Sequence, residues 1–187
     1  MSAHVVLTGP STAGKTSLML GLSHLEGSHE FTVDRTWTTR PRRPNENDEE
    51  NVFASPLEFD QKRADYLLPF QTFPTYEYGI TRQAPLANNE LRMRILMPVF
   101  AIKFRQLIET PTIICSISPY SADPRATLVA RDPLVDPEDI ESRLRRYYQD
   151  DAEATAVADI RFQNSPGLKA AVRQLGVLLT DYVRKLD

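Results

Sequence analysis

Cysteine is nearly absent. The 187-residue chain has one, Cys115, so no internal disulfide can form and no thiol cluster can hold a metal. Cys115 lies in the apolar run Thr112-Ile113-Ile114-Cys115-Ser116-Ile117, where a thiol reads as a buried structural group rather than a nucleophile. The three histidines, His4, His24 and His29, show no metal-ligand spacing with one another or with Cys115. The sequence has no apolar stretch of about 18 residues and no leader-like segment, so a membrane-spanning helix is not expected and the cytoplasm is the expected compartment. An excess of positive charge is missing too. With 22 Lys and Arg against 25 Asp and Glu, the net charge of -3 gives no field for a nucleic-acid backbone or an anionic membrane. Neither is expected as a partner. Internal repeats and low-complexity tracts are also lacking.

Against these absences stands one complete motif. Gly9-Pro10-Ser11-Thr12-Ala13-Gly14-Lys15-Thr16 follows the apolar run His4-Val5-Val6-Leu7-Thr8 and leads into Ser17-Leu18-Met19-Leu20. It therefore has the form G-x-x-x-x-G-K-[ST], placed between a strand and a helix. Glycines let backbone N–H groups wrap phosphates, Lys15 reaches the outer phosphates, and the Thr16 hydroxyl can ligate Mg²⁺. The positive end of the following helix favours the same anion. The motif points to ATP or GTP.

Apolar runs alternate with amphipathic stretches, the pattern of a parallel sheet covered by helices. Strands are expected at His4 to Thr8, Arg94 to Met97, Thr112 to Ser118 and Asp159 to Gln163. Helices are expected at Gly14 to Leu25, Val99 to Glu109, Pro124 to Arg131, Pro137 to Ala156 and Pro166 to Leu186. In the last helix Leu168, Val172, Leu175, Leu179 and Val183 form a core stripe. Between Asp34 and Pro85 the pattern breaks into short segments rich in proline, charge and aromatics, too long for a simple loop. The expected organisation is one compact α/β unit: a core of residues 1–33 and 86–187 and an inserted lobe of residues 34–85.

Within that lobe, Thr38-Thr39-Arg40-Pro41-Arg42-Arg43-Pro44 sets three arginines beside two prolines that stiffen the backbone. It reads either as a rigid clamp for a phosphate, since arginine gives permanently charged, bidentate hydrogen bonds, or as a solvated basic turn balanced by the acidic run Glu46 to Glu50. Asp34, after Phe31-Thr32-Val33, is either a carboxylate for a magnesium-bound water or a turn residue. Trp37 is either a platform for an acceptor ring or the small core of the lobe.

These segments together resemble the guanylate kinase family. The phosphate loop, Thr38-Thr39-Arg40 with Arg43, Asn51 to Phe59, Tyr76-Glu77-Tyr78-Gly79, Ser118-Pro119-Tyr120, Arg131, Ile140 with Arg143-Leu144, and Arg161-Phe162-Gln163-Asn164 match its segments in order over nearly the whole chain. The resemblance implies a P-loop kinase fold with an inserted acceptor-binding lobe and a short lid at about 125–148. It implies transfer of the γ-phosphoryl of ATP, with Mg²⁺, to a small phosphorylated acceptor, a nucleoside monophosphate such as GMP or a variant nucleotide. Gly9 to Ser17 would cradle the triphosphate: Gly9, Pro10, Ser11, Thr12, Ala13, Gly14, Lys15, Thr16 and Ser17. Asn164 would lie beside the adenine and Thr16 would hold the metal. Lys15 and the lid arginines Arg131 and Arg143 would act on the phosphoryl group in transit; surface charge on a helix is the alternative for those two arginines. Arg40, Arg43 and Tyr78 would hold the acceptor phosphate, with Thr36 as a base contact.

Where the family reads guanine, this chain departs from it. The guanine-binding Glu falls on Pro69, the Ser or Thr after Tyr-Gly becomes Ile80, and the acidic pair at the strand end falls at Met97-Pro98-Val99. A small gap would instead bring Gln71 or Glu77 into the vacant place. The lobe's other phosphate-binding Tyr falls on Asn51. The ribose 1,5-bisphosphate kinases, whose acceptor has no base, are similar in Tyr78-Gly79-Ile80, but Thr16 replaces their Asp. A non-catalytic guanylate-kinase-like binding module is a further alternative, against which the intact loop speaks.

Overall fold

The computed structural model describes residues 1–186 except 28, 43–45, 47, 73–75, 83, 121–122 and 132–136; of 72, 131 and 137–139 it describes the backbone alone. In chain order the elements are β1 (Ala3–Thr8), α1 (Lys15–Ser23), β2 (Glu30–Val33), β3 (Thr36–Thr38), β4 (Asn51–Phe53), α2 (Pro56–Gln61), β5 (Tyr66–Thr72), β6 (Tyr76–Thr81), β7 (Glu90–Ile95), α3 (Pro98–Leu107), β8 (Thr112–Ser118), α4 (Pro124–Arg131), α5 (Pro137–Val157), β9 (Ile160–Gln163) and α6 (Leu168–Arg184). A short 3-10 turn, Arg63–Asp65, precedes β5. Among the described residues no helix is long and apolar enough to cross a membrane.

Five strands form one parallel sheet in the order β2-β7-β1-β8-β9. Both faces of β1 are covered, which is why it reads as an unbroken run. Val5 and Leu7 pack with Leu18, Leu22, Leu175, Leu179 and Val183 on the α1/α6 side. Val6 points the other way, into a cluster with Leu96, Ala101 and Phe104 that also takes Leu68 and Ile80 from the second sheet. Each such buried side chain contributes roughly 1.5–3 kcal/mol. The stripe on α6 is as expected at Val172, Leu175, Leu179 and Val183, but Leu168 is 51% exposed because it sits in the first turn, before the helix reaches the core. Cys115 is fully buried, and burial, with a smaller push from the charge of Asp159, raises its thiol pKa to about 12, as befits an inert core group.

β7 begins and ends earlier than the expected Arg94 to Met97. Its charged residues Glu90, Arg92 and Arg94 alternate with Leu91, Met93 and Ile95, which hides the strand. The fold neutralises those charges locally: Arg92 Nε donates to Glu90 Oε1 at 2.7 Å, and the fully buried Arg94 is ion-paired with Asp34. The Arg94 guanidinium also lies 4.1 Å from the Phe104 ring centre. Asp34, in the short connection between β2 and β3, is thus the counter-ion of a buried arginine rather than a magnesium-water carboxylate.

The second sheet, of order β4-β3-β6-β5, is built between β2 and β7. Its pairing puts Leu68 opposite Ile80 and Phe70 opposite Tyr78, with Pro69 opposite Gly79 and Gln71 opposite Glu77. Side chains alternate, so Tyr78 shares a face with Phe70 and Ile80, whereas Gln71 and Glu77 share the other. Ser55 opens α2 with a capping box closed by Glu58.

His4 on β1 is 5% exposed and packs edge-on against Phe104 at 5.4 Å. Burial, then the charges of Arg94 and Arg92, lower its pKa to about 4 against a small opposing effect of Glu90. Above about pH 6.5 neither the folded nor the unfolded chain holds this proton. Below it the unfolded chain takes up a proton that the fold refuses until about pH 4, so stability falls across that window by roughly 3 kcal/mol. Urea midpoints measured from pH 7 to pH 4 should show this loss in the unaltered chain and a flatter profile in His4→Val. Equal slopes for the two would refute the assignment to His4.

Candidate active site

The phosphate loop joins the C-terminal end of β1 to α1. Gly9 has φ 127° and Gly14, the residue before α1, has φ 85°. At Gly14 an added Cβ would meet Asn164 Nδ2 at 2.5 Å, so the turn demands glycine by both conformation and space. Lys15 folds back over the loop, Nζ donating to the carbonyls of Gly9 at 2.8 Å and Pro10 at 2.6 Å. The Thr16 hydroxyl donates to Glu50 Oε2 at 2.7 Å. Ser11 and Ser17 are exposed, Pro10 and Ala13 are buried, and Thr12 takes a positive φ of 69°.

Asn164 lies just beyond β9 and is tied to this loop. Its Nδ2 donates to the Ala13 carbonyl at 2.9 Å, and its Oδ1 accepts from the Ser165 N–H at 2.9 Å. The structure thus gives its amide to bracing the loop, where the family resemblance puts it beside a base.

In the second sheet the structure brings Arg40 and Tyr78 together. Arg40 Nη2 donates to Glu46 Oε1 at 2.6 Å, its guanidinium lies 5.4 Å from the Phe53 ring, and its backbone N–H is held by Thr38 Oγ1 at 3.0 Å. Burial works against its charge, but the hydrogen bond and charge of Glu46, followed by Tyr78, hold its pKa above the ordinary arginine range. Arg42 pairs with Asp48 and stacks 4.8 Å from Phe53. The acidic run thus does pair with Arg40 and Arg42, and of the two Arg40 is held in a largely buried pair. Tyr78 stacks on Phe70 at 5.3 Å, and Phe70 on Phe100 at 4.2 Å. Thr36 is buried, its N–H donating to the Glu50 carbonyl at 3.0 Å. Arg43 lies outside the described residues.

The guanine-reading positions carry no substitute acid. Ile80 is fully buried in the cluster between the two sheets. Pro69 is exposed. Glu77 is taken by Arg63 at 2.8 Å on the face away from Tyr78, with Gln71 beside it, so neither fills the vacant place. Trp37 is half-buried on β3; it sits under Lys62 at 5.3 Å and lines a surface hollow with Ala64, Asp65, Thr81 and Arg82. Because Trp37 and Thr38 are successive on the strand, it faces away from Thr38, which pairs with Tyr78. It is therefore no platform on the Tyr78 side. Among the described residues no group of three or more His, Cys, Asp or Glu could hold a metal ion.

α4 and α5 pack through Leu128, Ile140 and Leu144, a small cluster apart from the main core. Arg131 ends α4, its side chain outside the described residues, and Arg143 stands exposed on α5. Sequence reading missed a neighbour three residues on. Arg146 pairs with Asp150 at 2.8 Å and reaches Met97 Sδ at 4.0 Å, at the end of β7. Burial raises the pKa of Asp150, and the charge and hydrogen bond of Arg146, then the charge of Lys15, oppose the rise. The i, i+3 spacing from Arg143 is the signal that could have marked Arg146. Glu50 was likewise missed as an individual residue.

A parallel sheet whose first strand runs into this loop and helix, with a second sheet inserted after β2, is the architecture of the P-loop kinases. No protein-family model matches the chain. Curated relatives do. The guanylate kinase of Hydrogenovibrio crunogenus is 40% identical over 80 residues, 41% of this chain and 38% of that protein, so the match spans less than two thirds of it. The guanylate kinase of Polaromonas sp. is 29% identical over 153 residues, covering 80% of this chain and 73% of that one. That of Salinibacter ruber is 28% identical over 166 residues, covering 83% and 87%. The crystal structure of guanylate kinase from Anaplasma phagocytophilum superposes with a TM-score of 0.67 at 18% identity, over 97% of this chain and 86% of that one, a likeness of fold. The curated relatives and the likeness of fold together support the guanylate kinase family of P-loop kinases, and an enzyme of that kind.

Proposed function

We propose that the enzyme moves the γ-phosphoryl group of ATP, with Mg²⁺, to a nucleoside monophosphate, GMP being the acceptor named by its curated relatives. The observation that carries this reading is the contact between the two halves of the site. The loop hydroxyl of Thr16 is hydrogen-bonded to Glu50, whose own carbonyl is bonded to Thr36 in the sheet that carries Arg40 and Tyr78. Two anion-binding groups so joined can bring two phosphorylated substrates into line, which is most of what phosphoryl transfer asks of a protein.

Thr16 and the loop offer oxygen donors and backbone N–H groups, the set that suits Mg²⁺ and a triphosphate. The cation would neutralise the charge of the phosphates. Lys15 then steadies the outer phosphates, while Arg40 and Tyr78 fix the acceptor's phosphate. Arg131, Arg143 and Arg146 are carried by α4 and α5, from which they can add positive charge and exclude water as those helices close. Arg43, next to the clamp in sequence, would join Arg40.

ADP release from Mg·ATP should be measured against GMP, the other nucleoside monophosphates and ribose 1,5-bisphosphate. A nucleoside monophosphate is expected to give the highest kcat/KM. Arg40→Ala should raise the acceptor KM about 10–100-fold, the worth of a charged hydrogen-bonding partner. Preference for the base-free sugar phosphate would overturn the acceptor assignment, and silence across the panel the kinase reading.

A further inference from the structure

Glu50 closes the segment before β4, and its side chain crosses from the second sheet to the first turn of α1. Oε2 accepts the Thr16 hydroxyl proton at 2.7 Å, and Oε1 accepts from Asn51 Nδ2 at 3.0 Å. A threonine hydroxyl gives one proton and offers two lone pairs. With the proton committed to Glu50, the lone pairs point away from that carboxylate and are free to ligate a cation. The rotor is fixed in the orientation a metal ligand needs. Two other places offer no free acid: the strand end after β7 reads Met97-Pro98-Val99, and Asp34 is ion-paired with Arg94.

We propose that Glu50 is the anionic partner of Thr16 in the divalent-cation site, a positioning residue supplied by the acceptor-binding sheet in place of a carboxylate at the end of β7. The assignment rests on the kinase reading above. Groups that orient a metal ligand typically change metal affinity 10–100-fold when removed. Because Glu50 is carried by the sheet that holds Arg40 and Tyr78, cation and acceptor binding are coupled, each strengthening the other by the same factor.

The test uses Mn²⁺ and the non-hydrolysable ATP analogue AMPPNP with the full chain. Free Mn²⁺ is read by electron paramagnetic resonance, and metal-free AMPPNP binding is read separately by calorimetry in chelator. Glu50→Gln removes the charge but keeps the shape, and Glu50→Ala removes the acceptor as well. Both should weaken Mn²⁺ binding in the presence of AMPPNP at least about tenfold. Metal-free nucleotide affinity should be unchanged or higher, since a negative charge beside the triphosphate is gone. Cation affinity within twofold of the unaltered chain in Glu50→Ala would overturn the proposal. So would a parallel loss of metal-free and metal-dependent binding, which is the mark of a merely structural contact. Failure of the unaltered chain to bind AMPPNP at all would instead overturn the kinase reading, and the Glu50 assignment with it.

Discussion

Lys15→Ala is expected to lower phosphoryl transfer by about 10³-fold, the scale of losing one preorganised charge from a phosphate site. Lys15 is held over the loop by the Gly9 and Pro10 carbonyls, so its ammonium group is placed before any nucleotide arrives. That placement avoids ordering a flexible side chain at the moment of reaction. Lys15→Arg should recover little, because a planar fork does not fit where a compact ammonium sits between two carbonyls. Turnover by coupled ADP detection, with nucleotide affinity measured alongside, checks both variants. Activity of Lys15→Ala within tenfold of the unaltered enzyme would remove the residue from the reaction.

Asp34→Ala should be the most destabilising of the single substitutions considered, by about 3–5 kcal/mol, since it strands Arg94 as an uncompensated buried charge. For a chain of this size the melting temperature should fall by roughly 10 °C. Arg94 is 1% exposed and its Nε and Nη1 have no hydrogen-bond partner among the described residues, so the Asp34 contact is what offsets its desolvation. Burial already pulls the Arg94 pKa down. The double variant Asp34→Ala with Arg94→Met should regain most of the loss, because the charge and its partner leave together while the stem still packs on Phe104. Thermal melts of the two single variants and the double variant form the cycle. A double variant as unstable as Asp34→Ala alone would show that Asp34 acts through its backbone turn and not through the pair.

The phosphate loop was legible from residue types because its chemistry requires those types in one contiguous stretch. The parallel sheet was legible in β1 and β8, whose two covered faces give unbroken apolar runs. β7 was misplaced because ion pairs let Arg92 and Arg94 sit in a strand, and those pairs are made with residues the local pattern cannot show. The second sheet is made of strands as short as three residues, paired non-locally, so only its existence as an insertion could be read. Glu50 and Arg146 escaped for a related reason. An acid in a run of acids, or an arginine beside another on a charged helix, gains meaning only from the residue it meets in space: Thr16 for one, Met97 and Asp150 for the other.

The amide of Asn164 reaches Ala13 across 151 positions of sequence. This one strut of the phosphate loop is therefore missing until β9 has been made and docked. A nascent chain emerging from the ribosome carries all eight motif residues early, yet lacks the strut that sets their shape. The final shape of the nucleotide-binding loop thus waits on the docking of β9 and is not set by β1 and α1 alone.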